Sequence, residues 1–278
     1  MNVLLLHTAE LDAAARAALG AHLPGAEPER RAGHWRVHPG EPLSAERLAA
    51  LREAVAFDVN PLPTDFEPAR IRLLISDMDS TLITIECIDE IADHAGLKPQ
   101  VAAVTAAAMR GELVFEESLR QRVALLEGIP QDALQAVYEQ RLRLSPGAEA
   151  LIDCVHAHGA RFALVSGGFT FFTERLQARL GLDYTRANTL EIEHGYLTGR
   201  VLGEIVGAEA KAEFLNELCK QLGIAPEQSI AVGDGANDLL MLARAGLSVA
   251  YRAKPAVQAK AQVVLNHSGL EALCHILA

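Results

Sequence analysis

Residues 71–93 read IRLLISDMDSTLITIECIDEIAD and contain the features that decide the fold. The short apolar run that ends at Ser76 is typical of a buried strand in a parallel β-sheet. Asp77 and Asp79 come directly after it. Two neighbouring carboxylates repel each other unless a cation or a proton lies between them. The segment therefore indicates a functional site at a strand end, with an ordinary turn built from Asp and Ser as the alternative.

Two later segments repeat this arrangement. RFALVSGG (161–168) and SIAVGDG (229–235) are apolar runs that end in polar residues or glycine. Such runs, alternating with helical stretches, predict an α/β fold with a doubly wound parallel sheet. Ligands of these sheets bind at the carboxyl ends of the strands. We therefore expect Asp77, Ser166 and Asp234 to lie at one edge of the sheet.

The residues expected at this edge suit a phosphorylated ligand and a metal ion. Carboxylates from two strand ends are typical ligands of Mg²⁺, which also binds substrate phosphate. After the third strand the chain continues with two further polar side chains, Asn237 and Asp238. The Ser166 hydroxyl and the unobstructed N–H group of Gly167 can bind a phosphoryl oxygen. Lys211 opens a predicted helix, where it opposes the helix dipole, so it is either a phosphate counter-charge or a solvated surface lysine.

The connection between the first two strands is long. About eighty residues separate them, far more than a crossover needs, and apolar residues recur there at helical spacing. A helix is predicted from about Phe115 to Glu127. We expect a helical cap over about 84–145 that covers the strand ends and excludes water.

The segment DVNPLPTDFEPAR (58–70) divides the chain, because its three prolines favour an extended linker. We therefore predict a small unit at 1–60, a linker at 61–70 and a main domain at 71–278. The small unit is predicted to have the order βαββαβ, which resembles the ferredoxin-like domains that include ACT regulatory modules. Its predicted elements are a strand at Val3–Leu6, a helix at Glu10–Leu23, a hairpin at 29–38, a helix from Ser44 to about Val55 and a strand at Ala56–Val59.

Composition excludes several classes of partner. A formal net charge of −11 argues against nucleic acid, which needs a basic surface. No apolar stretch is long enough to span a membrane, and the N-terminus lacks the basic region of a signal peptide. The four cysteines lie more than fifty residues apart, so they match neither a zinc site nor a disulfide framework. We expect a cytoplasmic protein with reduced thiols.

Taken together, the motifs resemble the haloacid dehalogenase superfamily. They occur in order as DMDST (77–81), VSGGF (165–169), Lys211 and GDGAND (233–238). The longer stretches at 77–93 and 109–123 look like the phosphoserine phosphatase family of that superfamily. This resemblance implies a Mg²⁺-dependent hydrolase that releases L-serine from O-phospho-L-serine, the last step of serine biosynthesis.

The resemblance also implies roles for individual residues. Asp77 is the nucleophile and Asp79 the general acid and base. Mg²⁺ is bound by the carboxylates of Asp77 and Asp234 and by the backbone carbonyl of Asp79. The other roles are phosphoryl binding by Ser166, Gly167 and Lys211, and support of the phosphate and metal by Asn237 and Asp238.

Substrate choice is expected in the cap. Glu86 and Arg122 match the family residues that meet the ammonium and carboxylate groups of the substrate. Phe115 lies seven residues before Arg122, about two helical turns, so both face nearly the same way. With Met109 they make an apolar wall beside a cationic clamp. The alternatives are an exposed helix charge for Arg122 and a core aromatic for Phe115.

Other functions remain open at this stage. A non-enzymatic phospho-acceptor uses similar residues, although it needs no second carboxylate like Asp79. A phosphotransferase, or a phosphatase for another phospho-amino acid such as phosphohomoserine, would use the same chemistry. The unit at 1–60 could bind an effector such as L-serine, mediate a homodimer or shield a surface.

Overall fold

The computed structural model describes residues 3–278, which form a small N-terminal sheet and a larger sheet with apolar clusters on both faces. The first two residues of the predicted unit at 1–60 lie outside the described residues. Within 3–278, none of the helices has the length and apolar character that a membrane crossing requires. The predicted α/β class with a smaller N-terminal α+β unit is confirmed.

The N-terminal part has the predicted βαββαβ order. Its elements are β1 (Leu4–Leu6), α1 (Ala13–His22), β2 (Pro28–Arg30), β3 (Trp35–Val37), α2 (Ala45–Ala54) and β4 (Val59–Pro61). The strands lie in the order β2-β3-β1-β4, and all neighbours are antiparallel. Ser44 caps α2 as predicted, because its hydroxyl accepts the N–H of Arg47.

The last of these strands lies later than predicted. β4 begins at Val59, whereas the sequence suggested a strand at Ala56–Val59, so that position was wrong. The strand extends to Pro61, inside the proline-rich segment. Pro61 is tolerated because β4 is an edge strand, where a missing N–H costs no bond to a further strand.

The larger sheet contains the three predicted strands as neighbours. Its strands are β5 (Leu73–Ser76), β6 (Arg161–Phe169), β7 (Tyr184–Glu193), β8 (Tyr196–Leu202), β9 (Ser229–Gly233), β10 (Leu247–Tyr251) and β11 (Val263–Leu265). Their order is β11-β10-β9-β5-β6-β7-β8, and only β7 and β8 pair antiparallel. The carboxyl ends of β9, β5 and β6 therefore lie side by side.

Helices cover both faces of this sheet and its strand ends. They are α3 (Cys87–His94), α4 (Lys98–Met109), α5 (Phe115–Ala124), α6 (Asp132–Gln140), α7 (Ala148–Ala157), α8 (Thr170–Leu180), α9 (Ala208–Leu222), α10 (Leu239–Arg244), α11 (Pro255–Gln258) and α12 (Cys274–Leu277). Ile83 and Leu144 form an isolated antiparallel bridge. The chain therefore leaves the strand ends and returns to them at one point, and α3–α6 lie in the excursion between.

Alternate residues of β5 bury into opposite faces of the sheet. Leu73 and Ile75 belong to the apolar cluster that includes Phe214 of α9. Leu74 belongs to the cluster that includes Phe172 of α8. Because β5 also pairs parallel with both β6 and β9, its end delivers Asp77 to the edge that the three strands share.

The N-terminal sheet docks on the end of the larger sheet through a polar interface, which we call the seam (His7, His34, Asp58 and Asn60 against 264–268 and His275). The Asn60 side chain donates to the Val264 carbonyl and accepts the Val264 N–H. The Asp58 carboxylate accepts three backbone N–H groups, from residues 266, 267 and 268. Asp58 and Asn60 are thus matched with backbone groups across the seam, whereas the Nε2 atoms of His7 and His34 are buried without a hydrogen-bond partner.

Three histidines complete the seam. The Nδ1 atoms of His7 and His275 lie 3.1 Å apart, and the His275 ring stacks on His34 as well as on His7. Burial lowers the pKa of His7 to about 3, with a further contribution from the positive charge that His275 would carry. Burial also lowers the pKa of His275 to about 4. At neutral pH these rings are therefore uncharged.

Candidate active site

The ends of β5, β6 and β9 place the predicted residues around one cleft. Asp77 follows β5, Ser166 lies within β6 near its end, and Asp234 follows β9. The Asp77 N–H donates to the Val232 carbonyl at 2.9 Å, so the β5–β9 pairing continues up to Asp77. The expectation that these three strand ends meet is confirmed.

Lys211 lies at the centre of the site. It is fully buried in the first turn of α9, and its Nζ lies 2.7 Å from Asp77 Oδ1 and 2.7 Å from Asp238 Oδ1. The alternative of a solvated surface lysine is therefore wrong. An ammonium group in the interior needs such partners, because an unpaired buried charge is very unfavourable.

The charges around Lys211 do not balance. Burial raises the pKa of Asp77 well above its usual range, and the negative charge of Asp238 adds to this increase, although Lys211 opposes it. Burial would lower the pKa of Lys211, but Asp238 and Asp77 outweigh that effect and raise it. One ammonium group thus faces more carboxylates than it can neutralise.

The surplus negative charge fits a divalent cation. Oxygen atoms of Asp77, Asp234 and Asp238 lie within 4.8 Å of one another. Burial raises the pKa of Asp234 to about 6, and the charge of Asp238 adds to it. A hard cation bound by these oxygens would relieve the repulsion among the three carboxylates.

Asp238 is the member of this cluster that is already fully bonded. Its Oδ1 accepts from Lys211, and its Oδ2 accepts the N–H groups of Gly235 at 2.9 Å and Asp234 at 3.2 Å. A Cβ atom on Gly233 would lie 2.5 Å from the Asp238 carboxyl carbon. Asp238 therefore orients Lys211 and the loop that carries Asp234, in line with its predicted supporting role.

Asp79 points into the cleft apart from the cluster. Its Oδ1 accepts the backbone N–H of Cys87 at 3.4 Å. Burial raises the pKa of Asp79 to about 7, and the nearby charge of Glu86 adds to the increase. A carboxyl group with a pKa near neutrality can give and take a proton at physiological pH.

The backbone around Asp79 is held in an unusual turn. Ser80 has a φ of 57°, in the left-handed region that non-glycine residues seldom adopt. Two contacts hold it: the Ser80 N–H donates to the Ile85 carbonyl at 3.2 Å, and the Ser80 hydroxyl donates to Glu86 at 2.8 Å. The turn therefore links the catalytic loop to the cap residue predicted to meet the substrate.

The end of β6 approaches the site closely because it carries two glycines. A Cβ atom on Gly168 would lie 2.8 Å from Asp79 Oδ2, and one on Gly167 would lie 2.9 Å from the Phe115 ring. The Ser166 hydroxyl oxygen accepts the Gly168 N–H at 2.8 Å, which leaves its hydrogen to donate elsewhere. The segment thus offers an N–H group and a hydroxyl to a bound oxyanion.

The cap covers part of the cleft and leaves a partly open cavity of about 640 Å³, large enough for a small phosphorylated metabolite. Its walls include every predicted substrate residue apart from Lys211, namely Glu86, Met109, Phe115, Arg122, Ser166, Gly167 and Asn237. Lys211 lies beneath the floor, bonded to Asp77. Met109 is 73% exposed and lines the cavity at its outer rim.

Arg122 provides the cationic wall. Burial lowers its pKa, while the carboxylates of Asp89, Glu86 and Asp79 oppose that change. Its Nε donates to the Ser118 carbonyl at 3.4 Å, within the same helix. The guanidinium group lines the cavity, so the alternative of a simple exposed helix charge is wrong.

The sequence reasoning missed three residues at this site. Asp89 lines the cavity and faces Arg122; its position in the first turn of α3, three residues after Glu86, could have indicated it. Lys254 also lines the cavity, and the strand-end argument applied to β10 would have found it. Cys87 gave no sequence signal, because its contact with Asp79 depends on how the loop folds back.

Comparisons with known proteins agree with this site. Residues 74–243 match the family model described as haloacid dehalogenase-like hydrolase. A phosphoserine phosphatase from Polaromonas sp. is 53% identical over 224 residues, which cover 79% of this chain and 95% of the relative.

Two solved structures are similar over nearly the whole chain. A HAD family hydrolase from Salmonella enterica serovar Typhi aligns with a TM-score of 0.91 and 35% identity, covering 100% of this chain and 99% of that one. A probable phosphoserine phosphatase from Vibrio cholerae aligns with a TM-score of 0.87 and 40% identity, covering 99% and 86%. Both alignments therefore include the N-terminal sheet as well as the catalytic fold.

Proposed function

The chain belongs to the haloacid dehalogenase-like hydrolases and, within them, to the phosphoserine phosphatases, and from this premise we propose a specific reaction. The enzyme hydrolyses O-phospho-L-serine to L-serine and phosphate, the last step of serine biosynthesis, through an aspartyl-phosphate on Asp77. The observation that carries this proposal is the buried Asp77 carboxylate, 2.7 Å from Lys211 at the end of β5.

In the first half-reaction, an Asp77 oxygen attacks the phosphorus atom and the bond from phosphorus to the serine oxygen breaks. Asp79 donates a proton to that serine oxygen, which leaves as a hydroxyl group. Its pKa of about 7 supports this role, since a substantial fraction is protonated at neutral pH.

In the second half-reaction, Asp79 takes a proton from water as the water oxygen attacks the phosphorus of the acyl phosphate. Phosphate leaves and the Asp77 carboxylate is restored. Throughout both steps Lys211, the Ser166 hydroxyl and the Gly167 N–H group stabilise the phosphoryl oxygens. The cap covers part of the cavity and so limits the access of other water to the intermediate.

We propose Mg²⁺ as the divalent cation, held by the carboxylates of Asp77 and Asp234 and by the backbone carbonyl of Asp79. The carboxylate donor set supports a hard cation, and the fully bonded Asp238 supports the loop. Bound Mg²⁺ supplies positive charge that offsets repulsion between phosphate and carboxylates. Asn237 lines the cavity near this position and is proposed to bind the phosphate.

Selectivity for phosphoserine is proposed to lie in the two ends of the cap pocket. A zwitterionic amino acid needs one anionic and one cationic partner, which Glu86 and Arg122 provide. Phe115 packs against Gly167 and lines the same cavity, so its ring can narrow the space beside the phosphoryl-binding segment and disfavour longer side chains. Met109 supplies apolar contact at the rim.

A steady-state substrate panel tests the proposal. Phosphate release is measured for phosphoserine, phosphothreonine, phosphohomoserine and an aryl phosphate, with and without Mg²⁺ and with added free alcohols. We expect the highest kcat/KM for phosphoserine, dependent on Mg²⁺. Uptake of a single phosphate without turnover would indicate a phospho-acceptor, and phosphorylated alcohols would indicate a phosphotransferase.

We also propose the domain division at 1–60, 61–70 and 71–278, with the cap at about 84–145, and a cytoplasmic location. The free state of all four cysteines supports a reducing compartment. The ferredoxin-like strand order of the N-terminal part supports an amino-acid effector site or a homodimer contact there. Calorimetry of the full chain with L-serine, and its sedimentation behaviour, test these two roles.

A further inference from the structure

Asn188 is a polar side chain of β7 that is buried next to the site but lies outside the residues that line the cavity. It is 1% exposed. Its Nδ2 donates to the Gly167 carbonyl at 2.8 Å, and its Oδ1 accepts the Val206 N–H at 2.8 Å. The opposite orientation of the amide would set donor against donor and acceptor against acceptor. One side chain thus bridges two backbone segments in a single orientation.

The first of these segments is the irregular end of β6. Its pairing with β7 is regular up to Val165 and resumes at Phe169, so three residues of β6 lie opposite one residue of β7. On the other side of β6, pairing with β5 ends at Leu164. The extra residues form a bulge, where the regular ladder of a sheet is interrupted. Gly167 lies in this bulge, and the Asn188 amide supplies a hydrogen bond that the ladder does not.

The second segment leads into α9. Val206 lies two residues before the first residue of this helix, and Lys211 lies in the first turn. A Cβ atom on Gly167 would lie 3.6 Å from the Val206 carbonyl oxygen, so the two segments also face each other directly. Asn188 therefore joins the strand end that carries the Gly167 N–H group to the start of the helix that carries Lys211.

We propose that Asn188 is a positioning residue: its amide holds the Gly167 N–H group and Lys211 at the spacing that fits one phosphoryl group. A donor stabilises developing charge best when it already points at the position that the oxygen will occupy. The two bonds of Asn188 are buried, and breaking them would leave a carbonyl and an N–H group unmatched, so the bridge resists distortion. The proposal rests on the phosphoryl-binding roles of Gly167 and Lys211 proposed above.

The test measures how Asn188→Ala changes the inhibition constant of inorganic phosphate, which occupies the phosphoryl site without needing the amino-acid contacts of the cap. We expect phosphate to bind roughly 5- to 10-fold more weakly than to wild type, the value of about one net hydrogen bond. The kcat/KM values for phosphoserine and for p-nitrophenyl phosphate should fall by the same factor, because both substrates carry the same phosphoryl group. A residue with a purely structural role would reduce the amount of folded enzyme and leave the inhibition constant unchanged.

The seam offers a matched control. Asn60 makes the same pair of buried bonds, to the N–H and carbonyl groups of Val264. Asn60→Ala should therefore lower stability in urea unfolding about as much as Asn188→Ala, but leave phosphate inhibition and kcat/KM as in wild type. Asn188→Asp is a second variant of nearly the same shape, which keeps an acceptor for Val206 but at neutral pH cannot donate to Gly167. It should also bind phosphate more weakly, and a loss shared with Asn188→Ala cannot come from the added charge.

The outcome is distinguishable from failure of the proposed function. If wild type releases no phosphate from phosphoserine, the reaction assignment fails. If wild type is active and phosphate inhibits Asn188→Ala and Asn188→Asp as strongly as wild type, only the role of Asn188 fails. The same conclusion follows if Asn60→Ala weakens phosphate inhibition as much as Asn188→Ala, because the effect would then reflect a general loss of stability.

Discussion

The catalytic cleft and the seam both bury polar groups, but they satisfy them in different ways. In the cleft, Lys211 lies between two carboxylates with further carboxylates nearby, so charges face charges and negative charge is in excess. In the seam, Asp58 and Asn60 are bonded to backbone groups, and His7 is kept neutral by burial.

This difference fits a cleft whose charge balance changes as ligands bind and a seam whose contacts stay the same. The charge excess in the cleft leaves it ready for a cation and a phosphate, each of which alters the balance during turnover. In the seam, each of these backbone donors has a fixed acceptor. The seam therefore holds the two sheets in one relative position without a ligand. Substitutions in the seam should therefore lower stability and leave activity near wild type, whereas substitutions in the cleft should lower activity.

The largest effect is expected when an aspartate is replaced by asparagine, once in the cleft and once in the seam. Asp77→Asn removes the nucleophile and should lower kcat by roughly 10⁴-fold or more, with little loss of stability. Asp58→Asn should leave kcat near wild type but destabilise the fold by about 1–3 kcal/mol, because backbone N–H groups lose a charged acceptor. Steady-state kinetics and urea unfolding measure both. Residual activity above roughly one hundredth in Asp77→Asn would remove the nucleophile assignment.

The next largest effect concerns the buried cation. Lys211→Met leaves Asp77 and Asp238 without their shared partner and should cost about 3–5 kcal/mol of stability together with a roughly 10²- to 10³-fold loss of kcat. Added Mg²⁺ should restore part of the stability in urea unfolding, since a cation relieves the same repulsion. Lys220→Met, on the exposed face of the same helix, is the matched control. A stable and active Lys211→Met enzyme would contradict the central position of Lys211.

Arg122 should have a smaller effect, confined to one substrate class. Arg122→Ala should lower kcat/KM for phosphoserine by roughly 10- to 100-fold, the value of one charge-assisted contact. An aryl phosphate without a carboxylate should lose far less. The control is Arg120→Ala on the exposed side of α5. Equal losses on both substrates would make Arg122 a structural residue.

The smallest effect is a difference in the pH dependence of stability. His7 in the folded protein has a pKa of about 3, whereas the unfolded chain binds a proton near pH 6.5. The unfolded state therefore binds more protons below pH 6.5, and the seam loses stability as pH falls, by about 2 kcal/mol down to roughly pH 5 for His7. The cleft does the opposite, because Asp79 and Asp234, with raised pKa values of about 7 and 6, bind protons in the folded state first.

Urea unfolding across pH separates these two contributions. His7→Gln should lose less stability than wild type on acidification, whereas the control His38→Gln, on an exposed residue, should follow wild type. Identical pH profiles for His7→Gln and wild type would mean that the seam does not keep His7 neutral.

The sequence predicted the cleft far better than the seam, for a physical reason. β5, β6 and β9 are apolar runs with polar ends, and the topology of a parallel sheet brings such ends together. Even there, the burial of Lys211 and the contact of Cys87 with Asp79 escaped prediction, since both depend on side chains from distant elements.

The seam could not be predicted because it joins residues with no local signal. His275 is separated from His7 and His34 by most of the chain, and each of the three alone carries no signal. The later start of β4 has a related cause, because prolines suggest a linker unless the sheet is known to place that strand at an edge. Local sequence patterns thus predicted the strands and their ends. The contacts of the seam could be identified only from the three-dimensional structure.

Trapping the phosphorylated intermediate is the most direct measurement of the role of Asp77. The enzyme is mixed with phosphoserine and Mg²⁺, quenched and treated with borohydride, which reduces an aspartyl-phosphate to homoserine, and its peptides are analysed by mass spectrometry. We expect homoserine at position 77, dependent on phosphoserine and absent from Asp77→Asn. Steady phosphate release with modification at Asp79, at another residue or at none would contradict the mechanism.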